Sequence, residues 1–319
     1  MTHHDHPATG QDRTGHGHHP THGQDATHPD WALLGPDLER GAEVHTPVHE
    51  QVTAWLRELL TAAGGPGPDA VRRVLDIGSG PGVATCLLAR AFPAAEVVAV
   101  DPTEALLERA RDRAARLGLG DRVRTHVAEV PDGLDALDGA DLIWSSKALH
   151  HIGDQRGAVA ALAGHLRPGG LLAIAEGGLA PRFLPRDIGI GRPGLQSRLD
   201  AAGEEWFTQM RTALPGAVDA VEDWPAFLAD AGLRTPCTRS FLLDLPAPLS
   251  TAARDYVAAT LTRIVEAYGD QLDADDLTTL ARLTDPHDAV GLARRPDAFL
   301  LAVQTVHVAR GVVGRGRGR

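Results

Sequence analysis

The chain has 319 residues, of which 43% are hydrophobic and only 4% aromatic, so its core must consist mainly of Leu, Val, Ala and Ile. A formal net charge of -11 argues against a nucleic-acid binder that relies on a wide basic face. No apolar run approaches the ~20 residues of a transmembrane helix, and no export or transit signal is apparent, so we expect a cytoplasmic protein without a membrane partner.

Both ends of the chain have compositions that do not favour a packed fold. Half of the sixteen histidines lie in the first 28 residues among Gly, Thr, Asp and Pro, so residues 1–30 are predicted to be a disordered tail. Imidazoles bind Ni and Zn, but the irregular spacing favours a solvated tail over a specific metal site. Residues 311–319, rich in Arg and Gly, are predicted to be a second disordered tail. Cys86 and Cys237 are too few for a disulfide framework and are expected to be packed thiols.

Between these tails the hydrophobic pattern divides the chain into four parts. Residues 31–66 have apolar positions at helical spacing, with a break at Pro47, and predict an N-terminal helical cap. In residues 67–250 short apolar runs such as VLDI, EVVAV and DLIW alternate with amphipathic helical runs, which predicts a parallel sheet covered on both faces. Residues 251–296 are helical and precede a last strand at 297–310, so they are predicted to form an inserted lid over the substrate pocket.

The stretch VLDIGSGPG carries the most specific motif. Asp76 stands near the end of a predicted strand, and the tight turn that follows contains three glycines: Gly78, Gly80 and Gly82. Glycine admits positive φ and lets backbone amides approach a ligand closely. A GxGxxG dinucleotide fingerprint is the alternative, but it needs Gly or Ala where this chain has Val83. An acid followed by GxGxG resembles motif I of the class I S-adenosylmethionine-dependent methyltransferases.

The resemblance extends along the strand series from about Val71 to Gly177. It implies that Asp101, at the end of the second strand, accepts hydrogen bonds from the ribose hydroxyls and that Pro102 flanks the adenine. It also implies that Glu129 reads the adenine edge, although many relatives have Gly-Asp where this chain has Ala-Glu. The residues expected to bind the cofactor are Asp76, Gly78, Ser79, Gly80, Gly82, Asp101, Pro102, Glu129, Val130, Ser145 and Ser146.

The resemblance also implies a fold and a cofactor. The expected fold is α/β and Rossmann-like: a doubly wound, mostly parallel seven-stranded sheet with helices on both faces and a helical insert before the last strand. The expected cofactor is S-adenosyl-L-methionine.

Two adjacent histidines follow the predicted fourth strand, in the loop that lies beside the methyl group in this family. An unperturbed pKa near ~6.5 suits a histidine to proton removal at neutral pH. The resemblance favours His151 as the base or acceptor-orienting group, with His150 second and a purely packed pair as the alternative. Glu176 is a third candidate, as an acceptor-binding carboxylate. Addition of His45 and His49 would give a four-histidine metal site, but we expect no metal.

These expectations define an enzyme that methylates oxygen, nitrogen or carbon of a small molecule, such as a secondary metabolite. We expect a monomer or homodimer whose partner is that acceptor, and no nucleic-acid partner. One alternative is a peptide or protein acceptor, and another is a non-catalytic regulator that binds S-adenosylmethionine. The loop at 178–200 has several candidate substrate contacts, although surface loops also carry arginines for solubility: Arg182, Arg186, Asp187 and Arg192.

Overall fold

A computed structural model describes residues 31–62 and 67–312, so the first predicted tail and residues 313–319 of the second lie outside the described residues. The helices are α1 (Trp31–Val44), α2 (Thr46–Thr61), α3 (Val83–Ala91), α4 (Glu104–Arg116), α5 (Gln155–Gly164), α6 (Leu195–Ala213), α7 (Trp224–Asp230), α8 (Thr251–Tyr268) and α9 (Ala274–Thr284). The strands are β1 (Arg73–Ile77), β2 (Glu96–Asp101), β3 (Val123–Val127), β4 (Ala140–Ser146), β5 (Leu166–Arg182), β6 (Arg234–Leu245) and β7 (Leu300–Arg310).

The seven strands form one sheet in the order β3-β2-β1-β4-β5-β7-β6. Strands β1 to β5 pair in parallel, whereas β7 is antiparallel to both β5 and β6. The expected mostly parallel, seven-stranded α/β fold is therefore confirmed. The order of the strands reverses at β1 and β4, which creates a crevice at their carboxyl ends.

Helices cover both faces of the sheet, and the alternation of side chains along β4 shows how. Leu142 belongs to a core packed against α2 and α3, whereas the next residue, Ile143, belongs to a core packed against α5 and α7. Both side chains are fully buried. A strand buried on both faces needs a continuous apolar run, which explains why β1, β2 and β4 have so few polar residues.

The helical cap has the predicted break. Helix α1 ends at Val44, and α2 begins at Thr46 with Pro47 in its first turn, where the missing amide proton costs no intrahelical hydrogen bond. Helix α2 then buries residues at helical spacing, among them Val48, Val52 and Leu56, against the sheet.

Two segments differ from the sequence prediction. The expected loop at 178–200 contains the end of β5 and the start of α6, whose buried apolar side chains are few and widely spaced: Leu195, Leu199 and Met210. So sparse an apolar stripe gives a weak helical period in the sequence. The helix expected between β3 and β4 is one 3-10 turn, Leu134–Ala136.

The insert before β7 consists of α8 and α9. Helix α8 buries one stripe at four-residue spacing, Ala253, Val257 and Leu261, and contacts both α1 and α6. Helix α9 is held by Asp276, whose buried carboxylate accepts two hydrogen bonds from Arg198, at 2.6 and 2.7 Å. Within residues 31–62 and 67–312, no helix is long and apolar enough to cross a membrane.

Candidate active site

A cavity of about 1160 Å³ opens at the carboxyl ends of β1, β2 and β4, beneath α1, α2 and α8. Most of the residues predicted to bind cofactor or acceptor line it: Asp76, Gly78, Ser79, Gly80, Asp101, Pro102, Glu129, Val130, Ser146, His150 and His151. Three predicted residues, Gly82, Ser145 and Glu176, are not among its lining residues.

The three glycines after β1 have different neighbours, although all have positive φ. A Cβ on Gly78 would lie 2.3 Å from the Cβ of Ala148, and a Cβ on Gly82 would lie 2.8 Å from the Cα of Ala110. These two glycines permit close packing within the protein. A Cβ on Gly80 would meet no protein atom within 4 Å, and Gly80 lines the cavity. Gly80 is therefore the glycine whose missing side chain leaves room for a ligand.

Polar groups beside this turn fit the ribose expected there. Asp101 is 7% exposed and accepts hydrogen bonds from the amides of Gly80 and Thr103, at 3.0 and 2.9 Å. Burial raises the pKa of the Asp101 carboxyl, and these hydrogen bonds oppose the shift. The buried hydroxyl of Ser79 has no hydrogen-bond partner among the described residues. A carboxylate with spare lone pairs and an unpartnered hydroxyl suit a ligand that carries a vicinal diol.

Asp76 lies deeper, at the end of β1. Its carboxylate accepts a hydrogen bond of 2.6 Å from the hydroxyl of Thr85. Burial raises the pKa of Asp76 to about 7, while the Thr85 hydrogen bond lowers it and the nearby Asp101 raises it further. Asp76 therefore ties the glycine turn to the start of α3 and also lines the cavity.

The imidazole of His150 contacts the carboxylate of Glu176. The Nδ1 atom of His150 lies 2.9 Å from one carboxylate oxygen of Glu176. The other carboxylate oxygen accepts the amides of Ala148 and Leu149, at 3.0 and 2.9 Å. Glu176 is 5% exposed, and the two backbone amides fix the orientation of its carboxylate. If the imidazole is neutral, Nδ1 must carry the proton to donate to this carboxylate, and Nε2 is then the basic nitrogen.

His151 lies beside this pair in an aromatic setting. Its ring centroid is 4.1 Å from that of His150 and 5.1 Å from that of Trp31, which meets it edge to face. The carbonyls of His150 and Ile152 accept hydrogen bonds from Arg211 of α6, at 2.8 and 2.7 Å. The histidine turn is therefore braced from β5 on one side and from α6 on the other.

A second group of lining residues comes from α2, the loop after β4, α8 and β7. We call it the acceptor wall: His45, His49, Lys147, Tyr256, Arg263 and Gln304. Of these residues, only the two histidines were expected from the sequence to lie near the site, as conceivable metal ligands. In the described part of the chain, no group of three or more His, Cys, Asp or Glu side chains is arranged to hold a metal ion.

The histidines of the acceptor wall are neutral at ordinary pH. Burial lowers the pKa of His45 to about 4, with a smaller effect from the positive charge of Lys147. Burial lowers the pKa of His49 to about 3, and His45 and Lys147 add to the shift. The Nδ1 atom of His45 donates to the carbonyl of Gly41 at 2.8 Å.

Three residues that line the cavity each have a buried polar atom with no hydrogen-bond partner among the described residues: His49 Nδ1, Trp144 Nε1 and Gln304 Oε1. Gln304 uses its amide nitrogen to donate to Ser146 at 2.9 Å, which leaves Oε1 available. Buried polar atoms normally find partners, so these atoms are candidates for contact with a ligand. By contrast, the predicted loop contacts Arg182 and Arg192 pair with carboxylates of α6 and of the α9 region and do not line the cavity.

Known proteins match the part of the chain that builds the glycine turn. Residues 74–170 match a family model described as a methyltransferase domain. A trans-aconitate 2-methyltransferase of Variovorax paradoxus strain S110 is 38% identical over 137 residues, which are 43% of this chain and 49% of that protein. Methyltransferase GfsG of Streptomyces halstedii is 31% identical over 205 residues, which are 64% of this chain and 63% of that protein.

The chain thus spans less than two thirds of the length of either relative. A third relative is matched over nearly its full length. It is a trans-aconitate 2-methyltransferase of Rhodopseudomonas palustris strain BisB18, 29% identical over 268 residues, which are 76% of this chain and 96% of that protein.

The strands that build the cavity are also the strands that match the methyltransferase family model. The acid before the glycine turn, the open space at Gly80 and the carboxylate of Asp101 meet where the order of the strands reverses. The family model covers β1 to β4 and the loops between them. Residues 74–170 therefore form a methyltransferase domain of the class I S-adenosylmethionine-dependent type, with S-adenosyl-L-methionine as the cofactor.

Proposed function

We propose that this protein transfers the methyl group of S-adenosylmethionine to oxygen, nitrogen or carbon of a small-molecule acceptor, with His150 as the base. The observation that carries the proposal is the 2.9 Å contact between His150 Nδ1 and the buried carboxylate of Glu176. Among the sequence candidates, His151 ranked first. The contact with Glu176 defines which ring nitrogen of His150 carries the proton, and this favours His150 over His151 as the base.

The bound cofactor would supply a methyl group already activated by the sulfonium charge. The protein's task is then to bind and align the acceptor, to exclude water, and to accept a proton if the acceptor carries one. Asp76, Gly80, Asp101 and Glu129 would hold the cofactor. The acceptor's proton would pass to His150 Nε2, which makes no hydrogen bond within residues 31–62 and 67–312.

Glu176 acts in this proposal as a positioning residue. Its carboxylate would stabilise the imidazolium that forms when His150 accepts a proton, because opposite charges attract strongly in a buried site. Its second oxygen is anchored by two backbone amides, so the carboxylate need not reorganise during the reaction.

A second candidate function is the formation of a methyl ester on a carboxylic acid. Several relatives are named trans-aconitate 2-methyltransferases, and the cavity of this chain has two cationic lining residues, Lys147 and Arg263. A carboxylate is already deprotonated near neutral pH, so its methylation requires no base. The two candidates therefore differ in their dependence on His150.

The test compares Glu176→Gln, His150→Asn and His151→Asn in methyl transfer to a panel of phenols, alcohols, amines and carboxylic acids. We expect the His150 variant to lose at least about 100-fold in kcat on a hydroxyl acceptor, as removal of a general base does. The Glu176 variant should lose less, because His150 keeps its basic nitrogen and loses only the carboxylate that orients its ring. Affinity for S-adenosylhomocysteine, measured by calorimetry, should stay within a factor of a few in all three variants.

Each alternative predicts a different outcome of the same experiment. Loss of activity only in the His151 variant would transfer the role of base to His151. Full activity of both histidine variants on a carboxylic acid would favour ester formation. Turnover only with peptides would favour a peptide or protein acceptor, and cofactor binding without turnover on any acceptor would favour a regulator.

A further inference from the structure

Lys147 is the only lysine in the chain, so the other 30 of its 31 Lys and Arg residues are arginines. It lies in the loop between β4 and the histidine turn and lines the cavity. Arginine and lysine carry the same charge but differ in shape, because lysine has a compact ammonium with three rotatable donors. The only compact ammonium among the side chains of this sequence therefore lines the cavity.

The backbone at Lys147 is strained. Its φ is +52°, in the left-handed region that favours glycine, and its amide donates to the carbonyl of Ala175 at 3.0 Å. Such a conformation costs a β-carbon-bearing residue on the order of 1 kcal/mol, and strain of this kind clusters at functional sites. Glycine would relieve the strain, but it would also remove the ammonium.

The ammonium of Lys147 lacks a counter-ion. Within residues 31–62 and 67–312 it forms no ion pair or hydrogen bond with another side chain. The charge of Lys147 acts on two titratable groups of the acceptor wall, His45 and His49, both buried and uncharged at neutral pH. A cation beside neutral groups in a partly enclosed cavity creates a positive potential that attracts an anion.

A second cation of the acceptor wall reinforces this potential. Arg263 lies on α8, two helical turns after Tyr256, so both side chains project from the same side of that helix. Tyr256 in turn meets the ring of His45, with centroids 5.4 Å apart. In the described part of the chain, Arg263 donates only a 3.4 Å hydrogen bond, to the hydroxyl of Thr260, and has no carboxylate partner.

The acidic residues of the cavity do not neutralise these cations. Asp37 pairs with Arg40 at 2.7 Å, and Asp154 caps α5 by accepting the amide of Gly157 at 2.8 Å. Asp76 and Asp101 accept hydrogen bonds around the glycine turn. Glu129 and Asp132 follow β3, on the cofactor side. Among the described residues, the acids of the cavity therefore have their own partners or lie on the cofactor side, whereas the two cations without a carboxylate partner belong to the acceptor wall.

We propose that Lys147 and Arg263 bind an oxyanion, a carboxylate or a phosphate, on the methyl acceptor. The inference rests on the proposed function only in assuming that the second ligand of this cavity is the acceptor. It requires no particular methylated atom: the oxyanion could itself be methylated, or it could anchor an acceptor whose hydroxyl or amine reacts.

The single lysine permits a direct test on the full chain. Lys147 and the amino terminus are the only primary amines of the protein, so an acylating reagent in excess over the amine of S-adenosylhomocysteine has two protein targets, and the amino terminus serves as an internal reference. The acylation rate of Lys147 is measured by peptide mass spectrometry with S-adenosylhomocysteine present. The probes are succinate, benzoate, citrate and inorganic phosphate, against the methyl esters of the three acids and sodium chloride at equal ionic strength.

At an anion concentration of ten times its dissociation constant, we expect acylation of Lys147 to slow about tenfold, since the free fraction falls by mass action. The esters and chloride should not protect. Arg263→Met should require a higher anion concentration, whereas the matched control Arg90→Met, which removes an exposed cation at the end of α3, should not. Protection by carboxylates or by phosphate alone identifies the source of the oxyanion.

Two results would overturn the inference. One is an unchanged acylation rate with every anion, and this result leaves methyl transfer to a neutral acceptor intact as a function. The other is complete protection by S-adenosylhomocysteine alone, together with loss of cofactor affinity in Lys147→Met, which would assign the ammonium to the cofactor. Protection by an anion without methyl transfer to any acceptor would instead refute the proposed function and support the oxyanion site. Lys147→Arg tests the compact ammonium, and it should raise the KM of an anionic acceptor more than it lowers kcat.

Discussion

Acidification should destabilise the protein through His49. Burial lowers the pKa of His49 in the folded protein to about 3, whereas in the unfolded chain it is near ~6.5. The unfolded state therefore binds more protons than the folded state between these values, and stability is lost as pH falls through this window. At pH 5, about 1.5 units below the unfolded value, the loss from His49 is about 2 kcal/mol.

The pH dependence of wild-type stability does not by itself report on His49, because Asp76 changes the stability in the opposite direction. Its pKa is raised to about 7 in the folded protein, so protonation of Asp76 adds stability as pH falls from about 7 towards its unfolded value near ~4. The informative quantity is the difference between wild type and His49→Gln, since Asp76 titrates in both.

The assay is urea unfolding of both proteins at pH 7 and pH 5. We expect the wild type to lose about 2 kcal/mol more than His49→Gln between these pH values. The control is His287→Gln, which removes an exposed histidine outside the cavity. Parallel losses in wild type and His49→Gln would refute a buried, neutral His49, whatever the absolute stabilities are.

Three further substitutions test the glycine turn and the insert. Gly80→Ala should weaken binding of S-adenosylhomocysteine because its methyl group would enter the cavity, with a stability cost of about 1 kcal/mol from positive φ; unchanged affinity would contradict the assignment. Gly82→Ala should instead destabilise the fold by more than about 2 kcal/mol in urea unfolding, because its Cβ would lie 2.8 Å from the Cα of Ala110. Asp276→Asn should cost about 2 kcal/mol by breaking the two hydrogen bonds from Arg198, and limited proteolysis should then cut near α9 first; an unchanged pattern would show that other contacts hold the insert.

The parts of the fold that the sequence predicted are those with strong local signals. Buried parallel strands give unbroken apolar runs such as VLDI and DLIW, and a tight turn at a ligand site gives closely spaced glycines. Helix α6 lacks such a signal, because only three of its apolar side chains are buried over 19 residues. Its position depends on contacts with α8, which lies about 50 residues later in the chain.

The candidate site could be predicted only in part, for the same reason. The residues of the glycine turn and Asp101 are recognisable by spacing, whereas the partner of His150 lies 26 residues away on another strand. Tyr256, Arg263 and Gln304 reach the cavity only through tertiary packing. Lys147 did have a signal in composition, since it is the only lysine among 319 residues, but periodicity and motif spacing do not detect it.

The two walls of the cavity differ in how they can evolve. The cofactor side is built from residues within 74–170, the segment shared with the methyltransferase family model. Except for Lys147, the acceptor wall is encoded outside that segment, on α2, α8 and β7. On the proposed function, substitutions in those elements would change which molecule is methylated without altering the glycine turn. Exchange of residues 31–62 and 251–312 between relatives is therefore a route to new acceptor specificity on a retained cofactor site.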